Sequence, residues 1–263
     1  MAVQRITFPG HDGSQLSARL DMPAGPHRAT ALFAHCFTCG KDIAAARRIA
    51  ARLAAMGIAV LRFDFTGLGH SEGEFENTSF SSNIDDLVAA AAWATAQGMP
   101  PSLLIGHSLG GAVAAVLGLY MIEDGYKVDK IYTYGQPRFT TSAGVAKLGF
   151  LPLMRVVDEN DVVPLLPPDM VINKAYGPYQ QVGPEVIVLE GPNYVYLPSQ
   201  TASDLSLGEF WRDMNVANLK DHKLDNYIRR IDEKLAGSHA VAYNARENYA
   251  AKQKTVAALK SRQ

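Results

Sequence analysis

The sequence predicts a doubly wound α/β fold, a mostly parallel sheet with helices on both faces. Short apolar runs alternate with longer helical stretches along most of the chain, the order that parallel strands joined by helical crossovers require. A serine set among glycines at Gly106-His107-Ser108-Leu109-Gly110-Gly111 lies between an apolar run and a small-residue helix pattern, a strand-turn-helix join that belongs to such a sheet. The chain has 263 residues, 48% of them hydrophobic, enough to bury one large core, so a single domain over 1–263 is the simplest count.

Each element follows in order. Residues 3–8 and 15–22 read as an opening hairpin, its turn supplied by the Asp-Gly step of His11-Asp12-Gly13. Residues 30–35 form the next apolar strand. The alanine-rich run 43–56 places Ile49 and Leu53 on one helical face and ends at Gly57, a terminating glycine. Residues 58–65 return as a strand. The glycine-punctuated run 66–82 reads as a polar loop with Phe75 and Phe80 as its aromatics, and Ser82 is placed to cap a helix over 83–97 whose Asp85 and Asp86 favour its positive end. A buried strand at 102–105 follows Pro100-Pro101 and leads into a helix over 109–117. Three more strands stand at 130–134, 153–157 and 186–189; no lid is expected, and the alternative is a small cap at 140–147 with Gly144 as its glycine hinge. From about 205 the pattern turns helical, through 227–234 and a charged, alanine-rich tail at 240–260.

The formal net charge is -1, and no basic run interleaved with aromatics occurs, which argues against nucleic acid or an anionic membrane surface as partner. No apolar stretch is long enough to span a bilayer, so integral membrane association is not expected. The N-terminus has no apolar signal core, which predicts a cytoplasmic protein. Oligomeric state is left open by the sequence.

A serine held in a tight turn after a buried strand is how an α/β-hydrolase exposes its nucleophile, and Ser108 is the candidate. In that fold the order along the chain is serine, acid, histidine. His11, His27, His35, His70 and His107 precede Ser108 or lie too close along the turn to reach its hydroxyl, leaving His222 and His239. His222 lies in a polar turn opening a helix and is favoured over His239, which starts the tail. The acid belongs just past a strand end, where it can accept the histidine Nδ1–H. Asp161 fits, with a proline-fixed stretch after it, and Asp158 is its rival.

Two family resemblances meet near the serine turn. Ala31-Leu32-Phe33-Ala34-His35-Cys36-Phe37-Thr38-Cys39, Leu61-Arg62-Phe63-Asp64-Phe65-Thr66-Gly67-Leu68-Gly69-His70-Ser71 and Leu104-Ile105-Gly106-His107-Ser108 resemble bacterial α/β-hydrolases found fused to OsmC-type domains, which are serine aminopeptidase-like. Tyr132-Thr133-Tyr134-Gly135-Gln136-Pro137-Arg138, the stretch from Val157 through Asn160-Asp161 to Pro167-Pro168, and Asp221-His222 through Tyr227 resemble class 3, fungal-type lipases. The second resemblance implies that Asp161 and His222 complete a triad with Ser108. The first implies an oxyanion hole from the amides of Phe37 and Leu109. The arginine-glycine oxyanion motif and the helical lid usual in class 3 lipases do not occur before Ser108.

Cys36 and Cys39 are the only cysteines. Their C-x-x-C spacing invites a redox or metal reading, but further ligands at matching spacing are missing, so they read as reduced packing or loop residues and no metal is expected. The expected activity is a cofactor-free serine carboxylic ester hydrolase, an esterase or lipase, acting on small-molecule esters of short to medium acyl chain. The alternatives are an amide or peptide hydrolase and a catalytically silent hydrolase fold used for binding.

Overall fold

A computed structural model of the chain describes residues 2–36, 39–159, 161–167, 172–173, 177–199 and 222–246. The chain opens with a hairpin of β1 (Ala2–Pro9) and β2 (Gln15–Met22), antiparallel from Ala2↔Met22 to Pro9↔Gln15. There follow β3 (Ala29–Ala34), α1 (Ala44–Ala55), β4 (Ile58–Phe63), α2 (Phe80–Ala96), β5 (Pro101–His107), α3 (Leu109–Glu123) and β6 (Lys130–Tyr134). Beyond them lie β7 (Thr140–Thr141), α4 (Ser142–Leu148), β8 (Leu153–Asp158), β9 (Ile172–Asn173), β10 (Gly177–Gln180), β11 (Glu185–Val188), β12 (Asn193–Leu197), α5 (Leu224–Asp232) and β13 (His239–Ala240).

The main sheet has the order β1-β2-β4-β3-β5-β6-β8-β11-β12-β13. From β4 to β11 neighbouring strands are parallel, while the pairs β1–β2, β2–β4 and β11–β12 are antiparallel and β12–β13 is parallel. Successive strand residues face opposite sides of a sheet, and here the alternation feeds two cores. Leu32, Leu61 and Leu104 pack with Leu87, Val113 and Leu117 of α2 and α3. Phe33, Val60 and Ile105 pack with Ala46 and Ala50 of α1 and Tyr227 and Ile228 of α5. Each large apolar side chain buried this way contributes about 1.5–3 kcal/mol. Both faces are therefore covered, which lets the middle strands be apolar throughout.

Several expectations are corrected. The second helix starts at Phe80, and its cap is Ser79, not Ser82. The Ser79 hydroxyl accepts the Ser82 N–H at 3.1 Å while the Ser82 hydroxyl accepts the Ser79 N–H at 2.7 Å, a reciprocal capping box. Asp85 and Asp86 consequently fall beyond the first turn, and Asp86 is buried, accepting the backbone N–H of Thr66 at 2.9 Å and of His11 at 3.1 Å. Residues 140–147 form β7 and most of α4, and β7 joins a small sheet of order β7-β10-β9, apart from the main sheet. The described start of the expected helical tail is a strand, β13, paired with β12, and a single turn of 3-10 helix at Tyr243–Ala245. The expected helical pattern at 205–221 and the tail from 247 lie outside the described residues. Among the described residues no helix is long and apolar enough to cross a membrane.

Candidate active site

β5 ends at His107 and α3 begins at Leu109, so Ser108 alone makes the joint. It adopts φ 57° and ψ -132°, the one positive φ among described non-glycine residues, a conformation costing on the order of 1–3 kcal/mol that surrounding structure must hold. Its N–H donates to the Tyr134 carbonyl at 2.8 Å, and its own carbonyl accepts the Gly111 N–H at 2.9 Å. The turn is pressed against the end of β3. A Cβ on Gly110 would stand 2.4 Å from the His35 carbonyl oxygen and 2.5 Å from that of Ala34, so only glycine permits the approach.

Asp161 follows β8, in a turn closed by its N–H to the Asp158 carbonyl at 3.0 Å. Its carboxylate is fully covered and takes three donors. Oδ1 accepts the Val163 N–H at 2.9 Å. Oδ2 accepts His222 Nδ1–H at 2.8 Å and the Tyr227 hydroxyl. Burial pushes the Tyr227 phenol well above its ordinary range, with the Asp161 charge adding to the effect, so it stays a donor. At the end of β6, a Cβ on Gly135 would lie 2.7 Å from Asp161 Oδ2 and 2.8 Å from His222 Nδ1. The absence of a side chain there is what lets the acid–histidine pair lie against the sheet beside Ser108.

The structure thus brings Asp161 and His222 into direct contact against Gly135 at the end of β6 and sets Ser108 at the end of β5, the strand next to β6. Among the described residues no hydrogen bond joins the Ser108 hydroxyl to His222, a contact often long before substrate binds. Leu109 is the first residue of α3, where helix amides are unpaired and the dipole favours negative charge. Phe37, the other expected oxyanion donor, lies outside the described residues. The rivals are elsewhere: His239 is exposed on the edge strand β13, and Asp158 is buried, with Oδ2 3.5 Å from Arg230 Nε.

Two residues escaped the sequence reading. His107, set aside as too near the serine, stacks on the His222 ring at 4.8 Å between centroids and donates its Nε2–H to the His222 carbonyl at 2.8 Å. Burial, then the neighbouring His222, lowers its pKa to about 4, so at neutral pH it is an uncharged donor. The period of two along β5 was the available signal: His107 shares the face of Ile105, which α5 covers. Tyr227 ends the lipase-like stretch that opens at Asp221-His222, yet nothing in spacing marks its bond to Asp161.

Cys36 and Cys39 form a disulfide, correcting the reduced-thiol expectation. With His107, His222, Ile43 and Leu224 they line a cavity of about 340 Å³. Up to Ser79 the expected 66–82 loop is built of turns, bends and one turn of 3-10 helix at Phe75–Asn77, while Phe80 to Ser82 open α2; Phe75 and Phe80 are exposed.

A class 3 lipase family model matches residues 86–171, from within α2 past Asp161. The secreted mono- and diacylglycerol lipase 1 of Fusarium solani is 37% identical over 120 residues, covering 43% of this chain and 32% of that protein. A lipase of Rhizomucor miehei is 36% identical over 109 residues, covering 39% of this chain and 28% of its own length. The chain therefore spans only about a third or less of these curated relatives. Among solved structures, an alpha-beta serine hydrolase homologue from Coxiella burnetii has a TM-score of 0.52 at 22% identity, covering 70% of this chain and 89% of that one. The fold is that of the α/β-hydrolases. Within it, residues 86–171 form a class 3 lipase-like region.

Proposed function

We propose that this α/β-hydrolase is a serine carboxylic ester hydrolase that works without a cofactor. Ser108 Oγ attacks the ester carbonyl carbon as its proton passes to His222 Nε2, and His222 then returns that proton to the leaving alcohol. Asp161 holds the imidazole in the tautomer that leaves Nε2 free to accept, with Tyr227 and the Val163 amide fixing the carboxylate in turn. The amides of Leu109 and Phe37 receive the oxyanion, each worth roughly two to three orders of magnitude in rate. Water repeats the sequence on the acyl-enzyme.

The observation that carries this reading is the 2.8 Å His222–Asp161 contact packed beside a serine at positive φ on a strand-to-helix joint. Strain of that kind persists where function needs it. The mostly exposed, turn-built segment 67–79 supports esters of short to medium acyl chain as substrates, because it has little apolar underside to offer an oil surface. A fluorophosphonate probe tests the chemistry. Labelling of the folded protein that disappears in Ser108→Ala is expected; a folded wild type that resists the probe points instead to a binding protein. An ester series of increasing chain length, carried past the solubility limit, tests the substrate class, and a sharp rate increase on emulsion formation overturns the short-chain assignment.

A further inference from the structure

Cys36, Cys39 and His107 take no acid, base or nucleophile role in the proposed ester chemistry, and they form a cluster of their own. The Cys39 N–H donates to the Cys36 carbonyl at 3.0 Å, and a disulfide joins the two residues. A His107 ring nitrogen and both sulfurs lie within 4.8 Å of one another. His107 is only 3% exposed, and its Nδ1 is buried without a hydrogen-bond partner. Because Nε2–H is donated to the His222 carbonyl, Nδ1 carries the ring's lone pair. A buried lone pair beside two sulfurs has no use in a disulfide-bonded protein.

We propose that reduction of the Cys36–Cys39 disulfide creates a binding site for a thiophilic divalent cation, Zn²⁺ being the fitting species, held by both thiolates and His107 Nδ1. Zinc–sulfur and zinc–nitrogen lengths place tetrahedral ligands roughly 3.3–3.8 Å apart, which side-chain rotations reach from the observed cluster. The fourth position faces the cavity of about 340 Å³ that the same three residues line, leaving room for water. The His107 Nε2–H bond to a carbonyl is the outer contact that metal-binding histidines make to fix tautomer and ring plane.

The reduction balances with a phosphine. Phosphorus attacks one sulfur, the S–S bond takes up the electron pair, and the phosphine leaves as its oxide with oxygen from water. That water's two protons end on the two sulfurs, and the cation later releases both to solvent. The site would therefore be loaded only in the reduced protein.

Co²⁺, titrated without any ester into phosphine-reduced and into oxidised full-length protein, reads the site directly. The reduced protein is expected to take up one Co²⁺ with a thiolate-to-cobalt charge-transfer band and tetrahedral visible bands, both erased by Zn²⁺, while the oxidised protein shows neither. His107→Ala should weaken reduced-state affinity by roughly 10–100-fold or more. Should that variant fail to fold, Cys39→Ser, checked by circular dichroism, is expected to lose most of the charge-transfer intensity. Absence of the band in reduced wild type, or affinity unchanged in either folded variant, overturns the proposal. No ester enters the measurement, so its outcome is separate from that of the hydrolase reading.

Discussion

The two sides of the site are built differently. Ser108 is presented by the backbone: one residue at positive φ, between a strand and a helix, with glycine at 110 allowing contact with the end of β3. Asp161 and His222 are held by side chains instead. The acid sits in a loop after β8, the histidine two residues ahead of α5, and their alignment depends on the Tyr227 hydroxyl, the Val163 amide and the His107 ring. The nucleophile side should therefore tolerate loss of its side chain without loss of structure, whereas the acid–histidine side should lose stability and activity together.

Ser108→Ala is the largest test. Ester turnover should fall by roughly 10⁶-fold with the thermal midpoint unchanged, since the hydroxyl makes no contact that the fold uses. Near-normal turnover in that variant would remove the nucleophile side of the comparison. Asp161→Asn comes next, with an expected loss of up to about 10⁴-fold in kcat, because an amide in place of the carboxylate favours the wrong histidine tautomer. Asp158→Asn is its control. Asp158 is buried against Arg230, so the thermal midpoint should drop while turnover per folded molecule changes little; the reverse pattern would reassign the acid.

Tyr227→Phe separates support from chemistry. Losing a hydroxyl bound to a buried carboxylate typically costs about 1.5–3 kcal/mol, so both stability and kcat should fall, with KM nearly constant. Stability unchanged alongside a normal rate would mean that the carboxylate needs no third donor. The smallest effect is a pH slope. The folded pKa of His107 is about 4, against 6.5 for the ordinary imidazole, so between those values the unfolded chain binds a proton that the native state refuses. Stability should decline as pH falls from 6.5 toward 4. Buried His35, shifted in the same direction by desolvation, contributes to the same decline. Denaturant titrations across that range should give a shallower slope for His107→Asn than for wild type, and equal slopes would contradict the depressed value.

What could be read from residues alone follows the reach of local physics. The hairpin, the middle strands β3 to β6 and β8, and the helices α1 and α3 announce themselves through apolar runs, period and glycine punctuation, all acting within a few residues. The serine turn belongs to that group. Asp161 and His222 were reached by chain order and by resemblance, and the structure then brought them to 2.8 Å. The edge strand β13 was missed because its pairing with β12, not its own composition, makes it a strand, whereas β12 carries a strand-favouring Tyr194-Val195-Tyr196 run that the reading passed over.

The sequence by itself determined the sheet's character and where a strained serine would stand, because backbone propensity and burial pattern are local properties of the chain. Only the tertiary structure decided that Ser79 rather than Ser82 caps α2, that Tyr227 binds Asp161, and that Cys36 and Cys39 pair beneath His107. Cap position depends on where neighbouring contacts let the helix begin. The Tyr227–Asp161 bond and the meeting of the cysteine pair with His107 depend on groups far apart in the chain that come together only when β3, β5, β8 and α5 pack, and no spacing within one segment encodes that meeting, although the Cys36–Cys39 bond itself spans only three positions.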